Sequence, residues 1–284
     1  MSDASPWTDL TRPPLRVAPL RRALVEGGGP WTSVDVVTST GSTNDDLAAR
    51  AKAGAAAHGA VLMTDHQRAG RGRHDRTWTA PPRTSLAVSV FVLPGDVPQA
   101  RWSWLPLLTG VAVARALAGV AGASTALKWP NDVLVEQDAG EWRKIAGILA
   151  SVVGTPDGPG VVVGMGVNVL QRADELPVDT AASLATVAAT TTDLDTVVRA
   201  VLRELGDQLE RWLEHRGDPS SSGIAAAYLA ACRTVGRDIQ VHLPDSTVLA
   251  ARAESVDDDG RLVVRPHDGS PTRALAVGDV VHVR

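Results

Sequence analysis

Residues 67–78 place Arg68, Arg71, Arg73 and Arg76 within nine positions, against a single acid, Asp75. Guanidiniums this close can wrap an anion, each giving charge-assisted bidentate bonds to a carboxylate or a phosphate. Gly70 and Gly72 let the backbone close on a ligand. Four like charges repel one another until an anion neutralises them, so the loop is expected to order on its ligand. On the loop alone, a solvated turn and an RNA-contacting patch stay open as alternatives.

Two rare residue types point to the same chemistry. Of 28 basic residues 25 are Arg, and the lysines are Lys52, Lys128 and Lys144. Asparagine occurs only as Asn44, Asn131 and Asn168, in the strings GSTND, KWPND and GMGVN. An ammonium is a compact point charge and a guanidinium a planar fork, so a site shaped for one rejects the other. The surviving lysines and asparagines therefore mark candidate site positions. Each string alone also has a plain structural reading: KWPND as a strand turn, GMGVN as close backbone packing, Trp78 as core.

The elements that must position these residues are readable from periodicity. Beyond Pro13, Pro14 and Pro19, a short amphipathic run ends at Gly27–Gly29, so residues 1–30 form an arm. SVDVVTS reads as a strand, and Ser42 with Asp45 signals the start of a helix ending at Gly54. GAVLMTDH and SLAVSVFVL read as strands, and about Arg101 to Val120 as an apolar helix broken by Pro106 and closed by Gly122. ALKWPNDVLVE, EWRKIAGILASVVG and GVVVGMGVNVL predict three further strands, and LDTVVRAVLRELGDQLERWLEHR an amphipathic helix. A short helix around AAAYLAA follows, and from Cys232 short alternating strands with turns at Asp259-Gly260 and Asp268-Gly269 predict a small β-barrel. The expected division is arm 1–30, a main domain 31–231 that carries all of the strings above, and a C-terminal domain 232–284.

A formal charge of −4 over 284 residues gives no strong field toward nucleic acid or a membrane surface. One cysteine excludes an intramolecular disulfide framework and suits a reducing compartment, so the expected location is cytoplasmic. No signal-peptide core or spanning stretch is evident, and no helix-turn-helix module. The phosphate loop G-x-x-x-x-G-K-[ST] and the elbow G-x-S-x-G are missing, and Gly70-Arg71-Gly72 lacks the third glycine of a dinucleotide fingerprint. The seven histidines form no H-x-x-x-H pair, so no metal held by protein alone is expected.

GSTN, then Q-x-x-GRGR-x-x-R-x-W (Gln67 to Trp78), KWPND (Lys128 to Asp132), K-[IL]-AGIL (Lys144 to Leu149) and G-x-G-x-N (Gly164 to Asn168), in this order, resemble a biotin protein ligase. The resemblance covers nearly everything after Trp31 and is closest to the monofunctional class without an N-terminal winged helix. It implies an α+β catalytic domain on a mixed, largely antiparallel sheet, followed by an SH3-like domain. The implied reaction joins the biotin carboxylate to AMP from MgATP. Biotin then passes to one lysine of a biotin carboxyl carrier protein domain of acyl-CoA or pyruvate carboxylases.

Carried over by motif, Arg71, Gly72, Arg73 and Lys144 are expected at the biotin carboxylate and phosphate. Ser42, Thr43 and Asn44 would meet the ureido ring, Gln67 would lie beside the valeryl chain, and Gly147, Ile148 and Gly166 would form the wall for the thiophane. Trp78 is expected to stack on adenine, with Asn131, Asn168 and Arg76 at the nucleotide and Lys128 near the phosphates. Asp132 is a candidate for orienting the incoming lysine or the metal-bound phosphates. Lys144, Arg73, Lys128 and Asp132 are the expected catalytic set. The expected partners include no DNA and no membrane, and the expected assembly is a monomer or weak homodimer. His74 and Asp75 depart from the family's commoner GRGRRGR loop. A lipoate ligase, a non-catalytic biotin sensor and an RNA-binding protein are the rival readings.

Overall fold

The computed structural model describes residues 11–73, 76–138, 140–243, 245–276 and 278–282; His74 and Asp75 lie outside them. The arm carries helix α1 (Val17–Arg21), continued by a π-helical turn at Arg22–Glu26. Leu15, Leu20 and Leu24 are buried in the main core, so this part of the arm is integral to the fold.

Seven strands build the central sheet: β1 (Ser33–Val36), β2 (Ala60–Thr64), β5 (Ser85–Val92), β6 (Thr125–Lys128), β7 (Asp132–Glu136), β8 (Trp142–Thr155) and β9 (Gly158–Asn168). Their spatial order is β1-β2-β5-β9-β8-β7-β6, with β1 and β2 parallel and every other pair antiparallel. Between β2 and β5 lies a ribbon of β3 (Gly70–Arg71) and β4 (Thr77–Trp78). Strand alternation divides the sheet cleanly. Val161, Val163, Met165 and Val167 of β9 point to a core shared with α3 (Trp104–Ala121) and α4 (Leu194–Glu214), while Val162 packs under α2 (Thr43–Lys52) on the opposite face.

The expected α2 start is present, with Ser42 Oγ accepting from Asp45 N at 3.3 Å. Two local expectations are corrected. Pro106 does not break α3, because it is the third residue of the helix, in the first turn, where a backbone N–H has no intrahelical acceptor. ALKWPNDVLVE is not one strand: residues 129–131 turn the chain between β6 and β7. The span Gln99–Ala121 is apolar and long enough to cross a bilayer by composition, yet it lies mostly buried as the core helix against α4 and the sheet.

After α5 (Ile224–Ala231), the C-terminal region forms a five-stranded antiparallel sheet, as in an SH3-like domain. Its strands are β10 (Asp238–His242), β11 (Val248–Val256), β12 (Leu262–Pro266), β13 (Arg273–Leu275) and β14 (Asp279–His282). The β11–β12 turn docks on α3 and the β6–β7 turn: Trp104 Nε1 donates to Asp258 O at 2.8 Å and Trp129 Nε1 to Gly260 O at 3.1 Å.

Candidate active site

A cleft of about 940 Å³ opens on the α2 face of the sheet. Its floor follows from the period-two repeat of GMGVN. Gly164, Gly166 and Asn168 all face the cleft from β9, and Gly147 of β8 sits beside Gly166 in register. Each glycine leaves room for a particular side chain. A Cβ on Gly164 would lie 2.0 Å from Asn44 Oδ1, and one on Gly166 would lie 2.5 Å from Trp78 Cε2. The Trp78 indole thus covers a bare patch of strand, with its Nε1 buried and without a hydrogen-bond partner among the described residues.

Lys144 reaches this face through an irregularity. Gly147 and Leu149 line the cleft, so strict alternation would aim Ile145 into it and Lys144 into the core. Instead the pairing of β7 with β8 steps from Val133↔Ala146 to Leu134↔Lys144, leaving Ile145 as the extra residue of a bulge. Ile145 and Ala146 are both fully buried in the core, and the Lys144 side chain turns into the cleft. There its Nζ sits 2.6 Å from Asp132 Oδ1, a charge contact without hydrogen-bond alignment, and 5.7 Å from the Trp78 ring centroid. Lys128 lies directly across the β6–β7 pair from Asp132. Burial pushes the Lys128 pKa down, and the Asp132 charge partly restores it.

The glycine-arginine loop supplies the other cations. Arg71 pairs with Asp45 at 3.2 Å, Arg73 Nη1 donates to Gly278 O at 3.3 Å, and Arg76 forms an ion pair with Asp279. Burial lowers the Arg73 pKa, against the charges of Asp279 and Asp132. Five cationic side chains therefore converge on one cleft that also holds Asp132 and Asp279. Such a field suits a ligand carrying a carboxylate and phosphates.

At the other end the chemistry is neutral and polar. Gln67 Oε1 accepts from Thr43 N at 2.8 Å and from Thr43 Oγ1 at 3.1 Å. Ser89 Oγ lies 2.8 Å from Thr43 Oγ1 and donates to Asn44 Oδ1 at 2.6 Å, while Asn44 Nδ2 donates to Leu149 O at 2.9 Å. Asn44 is thereby locked against the sheet by both ends of its amide. Asn131 and Asn168 are similarly engaged: Asn131 Nδ2 donates to Ile148 O at 2.9 Å, and Asn168 Nδ2 to Ala182 O at 3.0 Å. Ser42, Gly72 and Ile148 also line the cleft, so every site residue named from the sequence is gathered there.

Other residues at or behind the cleft were not read from the sequence. Gln171 is fully buried and donates to Asn168 Oδ1 at 2.9 Å. Its backbone carbonyl accepts from Ser183 Oγ. Through Asn168 this holds the segment whose Thr180 carbonyl accepts from Lys144 N, and whose Ala182 N donates to Lys144 O, each at 2.8 Å. His242, Asp279 and Val281 of the C-terminal sheet line the cleft as well. No motif flags them, because they are ordinary alternating strand residues.

Residues 36–168 match the family model described as Biotin/lipoate A/B protein ligase family. A biotin--[acetyl-CoA-carboxylase] ligase of Mycobacterium tuberculosis is 41% identical over 279 residues, covering 97% of this chain and 98% of its own. The bifunctional ligase/repressor BirA of Escherichia coli is 32% identical over 180 residues, covering 63% of this chain and 54% of that protein. The biotin protein ligase from Aquifex aeolicus, solved in complex with biotin and ATP, shares the fold with a TM-score of 0.69 at 22% identity, covering 89% of this chain and 100% of its own. With five motifs in order, the fold that gathers them, and near full-length similarity to such a ligase, the chain belongs to the biotin protein ligase family.

Proposed function

We propose that this chain activates biotin with ATP and transfers it to a lysine of a biotin carboxyl carrier protein domain. In the first step a biotin carboxylate oxygen attacks the α-phosphorus, forming an acyl–phosphate bond as the bond to pyrophosphate breaks. In the second, the carrier lysine amine attacks the acyl carbon, an amide C–N bond forms, and AMP leaves. The observation that carries this reading is the bulge that turns Lys144 onto the cleft floor beside Asp132 and facing the arginine loop. The first step brings two anions together, and cations that tighten on the pentavalent phosphorus lower its barrier.

In this reading Arg71, Arg73 and Lys144 hold the carboxylate and α-phosphate, and Lys128 and Arg76 the remaining phosphates. Gly72 allows their approach. The Ser42, Thr43, Asn44 and Gln67 cluster receives the ureido end, while Gly147, Ile148 and Gly166 form the floor under the ring system. Trp78 serves the adenine, with Asn131 and Asn168 framing the nucleotide. Asp132 orients the carrier lysine once Lys144 has engaged the phosphate. Mg²⁺ arrives as MgATP, carried by the nucleotide's phosphates; among the described residues no cluster of three His, Cys, Asp or Glu side chains could hold it. The carrier domains of acyl-CoA or pyruvate carboxylases, a cytoplasmic site of action, a monomer or weak homodimer, and no DNA or membrane partner complete the proposal. So does the division into arm 1–30, catalytic domain 31–231 and C-terminal domain 232–284.

Incubation with biotin, MgATP and a purified carrier domain tests this reading, with pyrophosphate release and carrier mass as readouts. Biotin-dependent pyrophosphate and a carrier heavier by one biotinyl group are expected. Labelling by lipoate and not by biotin would overturn the reading in favour of the sister activity.

A further inference from the structure

Two contacts tie the β3–β4 loop to the C-terminal sheet. Arg76 pairs with Asp279, and Arg73 donates to the carbonyl of the neighbouring Gly278. The Asp279 charge also acts on Arg73 and Lys128. One carboxylate therefore stands among three of the cations that the proposed reaction directs at carboxylate and phosphate. The two sides of this contact are not equally fixed. Strand β14 pairs along its length with β10, and the sheet is pinned through Asp258 and Gly260 to Trp104 and Trp129. The β3–β4 ribbon consists of two residues on each side, and the side chains of Arg71 and Arg76 are 67% and 69% exposed. When an anion arrives, the long and exposed Arg76 side chain is the member free to swing away, while Asp279 stays fixed in its strand.

We propose that Asp279 is the resting counter-anion of the arginine loop, holding Arg76 on the C-terminal sheet until the ligand's phosphate replaces it. The inference rests on the adenylating reading above. A ligand that must displace Asp279 binds less tightly by the fraction of molecules in which the latch is closed. The same competition speeds release of the adenylate, because the displaced Arg76 side chain has a charged partner to return to. Asp279 is thereby a positioning residue that sets how long the activated intermediate is retained before a carrier collects it.

The test measures release of biotinyl-AMP, formed on the enzyme from biotin and MgATP, freed of excess substrate, and followed without carrier. Asp279→Asn removes the charge at nearly constant shape. Release two- to five-fold slower than wild type is expected, the range an exposed ion pair typically supports, and the difference should close at about 1 M salt. Asp279→Glu should behave as wild type, and in an Arg76→Gln background the Asp-to-Asn difference should vanish. Unchanged or faster release in Asp279→Asn would overturn the proposal, as would a difference that persists without Arg76. Failure of the wild type to form any adenylate would instead overturn the underlying functional reading.

Discussion

Gly166 lies so close beneath the Trp78 indole that a Cβ on it would meet Cε2 at 2.5 Å and Nε1 at 2.7 Å. The neighbouring Gly147 is less tight, its added Cβ meeting Trp78 Cζ3 at 3.1 Å and Lys144 Nζ at 3.2 Å. Both glycines sit on strand backbone with negative φ, so an alanine there is unstrained and the effect is one of space. Gly166→Ala is expected to lift the indole and weaken biotin binding at least about ten-fold, a penalty of the size that overpacking carries. Gly147→Ala needs only a small shift and is expected to cost less. Calorimetric titration of biotin into the two variants checks the ranking, and an equal loss in both would contradict it.

The contact between Lys144 and Asp132 gives a second expectation. Both side chains are partly solvated, and Lys144 carries the nearest ammonium to the cleft floor. Lys144→Met should slow pyrophosphate release about 10²–10³-fold, the range for loss of one preorganised charge donor, while leaving the melting temperature nearly unchanged. Asp132→Asn should keep adenylate formation within about ten-fold and slow transfer to the carrier more strongly, if it orients the incoming amine. Rapid-quench measurement of the two half-reactions separates these outcomes.

What the sequence showed and what it hid follow from the length scale of each signal. GMGVN was legible because a two-residue period on a strand keeps Gly164, Gly166 and Asn168 on one face whatever surrounds them. KIAGIL was legible as a strand but not in its aim: only the bulge at Ile145 decides that Lys144 faces the cleft, and a bulge depends on the partner strand. The β6–β7 turn was legible only as an alternative: Pro130 and Asn131 signal a turn, while the short apolar runs on either side also read as one continuous strand. Asp279, His242 and Gln171 carry no local signal: the first two reach the cleft only through the docking of the C-terminal sheet, and Gln171 lies buried behind Asn168.

Gln171 offers a test of that hidden support. Its side chain is fully buried and satisfied, donating to Asn168 Oδ1 and accepting from Val169 N at 2.9 Å. Gln171→Leu leaves Asn168 Oδ1 without that donor, while Val169 N keeps its bond to Thr84 O at 3.1 Å. A loss of about 1–3 kcal/mol in unfolding free energy is expected, together with weaker adenylate formation, since the 180–182 segment that brackets Lys144 loosens. Denaturant titration and pyrophosphate release measure the two effects. Lost stability with fully retained activity would separate Gln171 from the site.

His282 predicts how the stability of the fold responds to acid. It is half-buried, its Nε2 lies 3.2 Å from Thr234 Oγ1, and that hydroxyl accepts from Trp129 N at 3.1 Å. Burial, then the charges of Lys128, Arg237 and Arg233, push its pKa from 6.5 down to about 4. Between these values the unfolded chain binds a proton that the folded chain does not, so stability falls as pH drops from about 6.5 toward 4. Unscreened, the shift would correspond to about 3 kcal/mol; with the ring half open to solvent, about 1 kcal/mol is expected. His282→Gln keeps a polar group beside Thr234 and removes the titration, so its unfolding free energy should change less than that of wild type between pH 7 and pH 5. Parallel pH profiles for the two proteins would show that the acid sensitivity lies elsewhere.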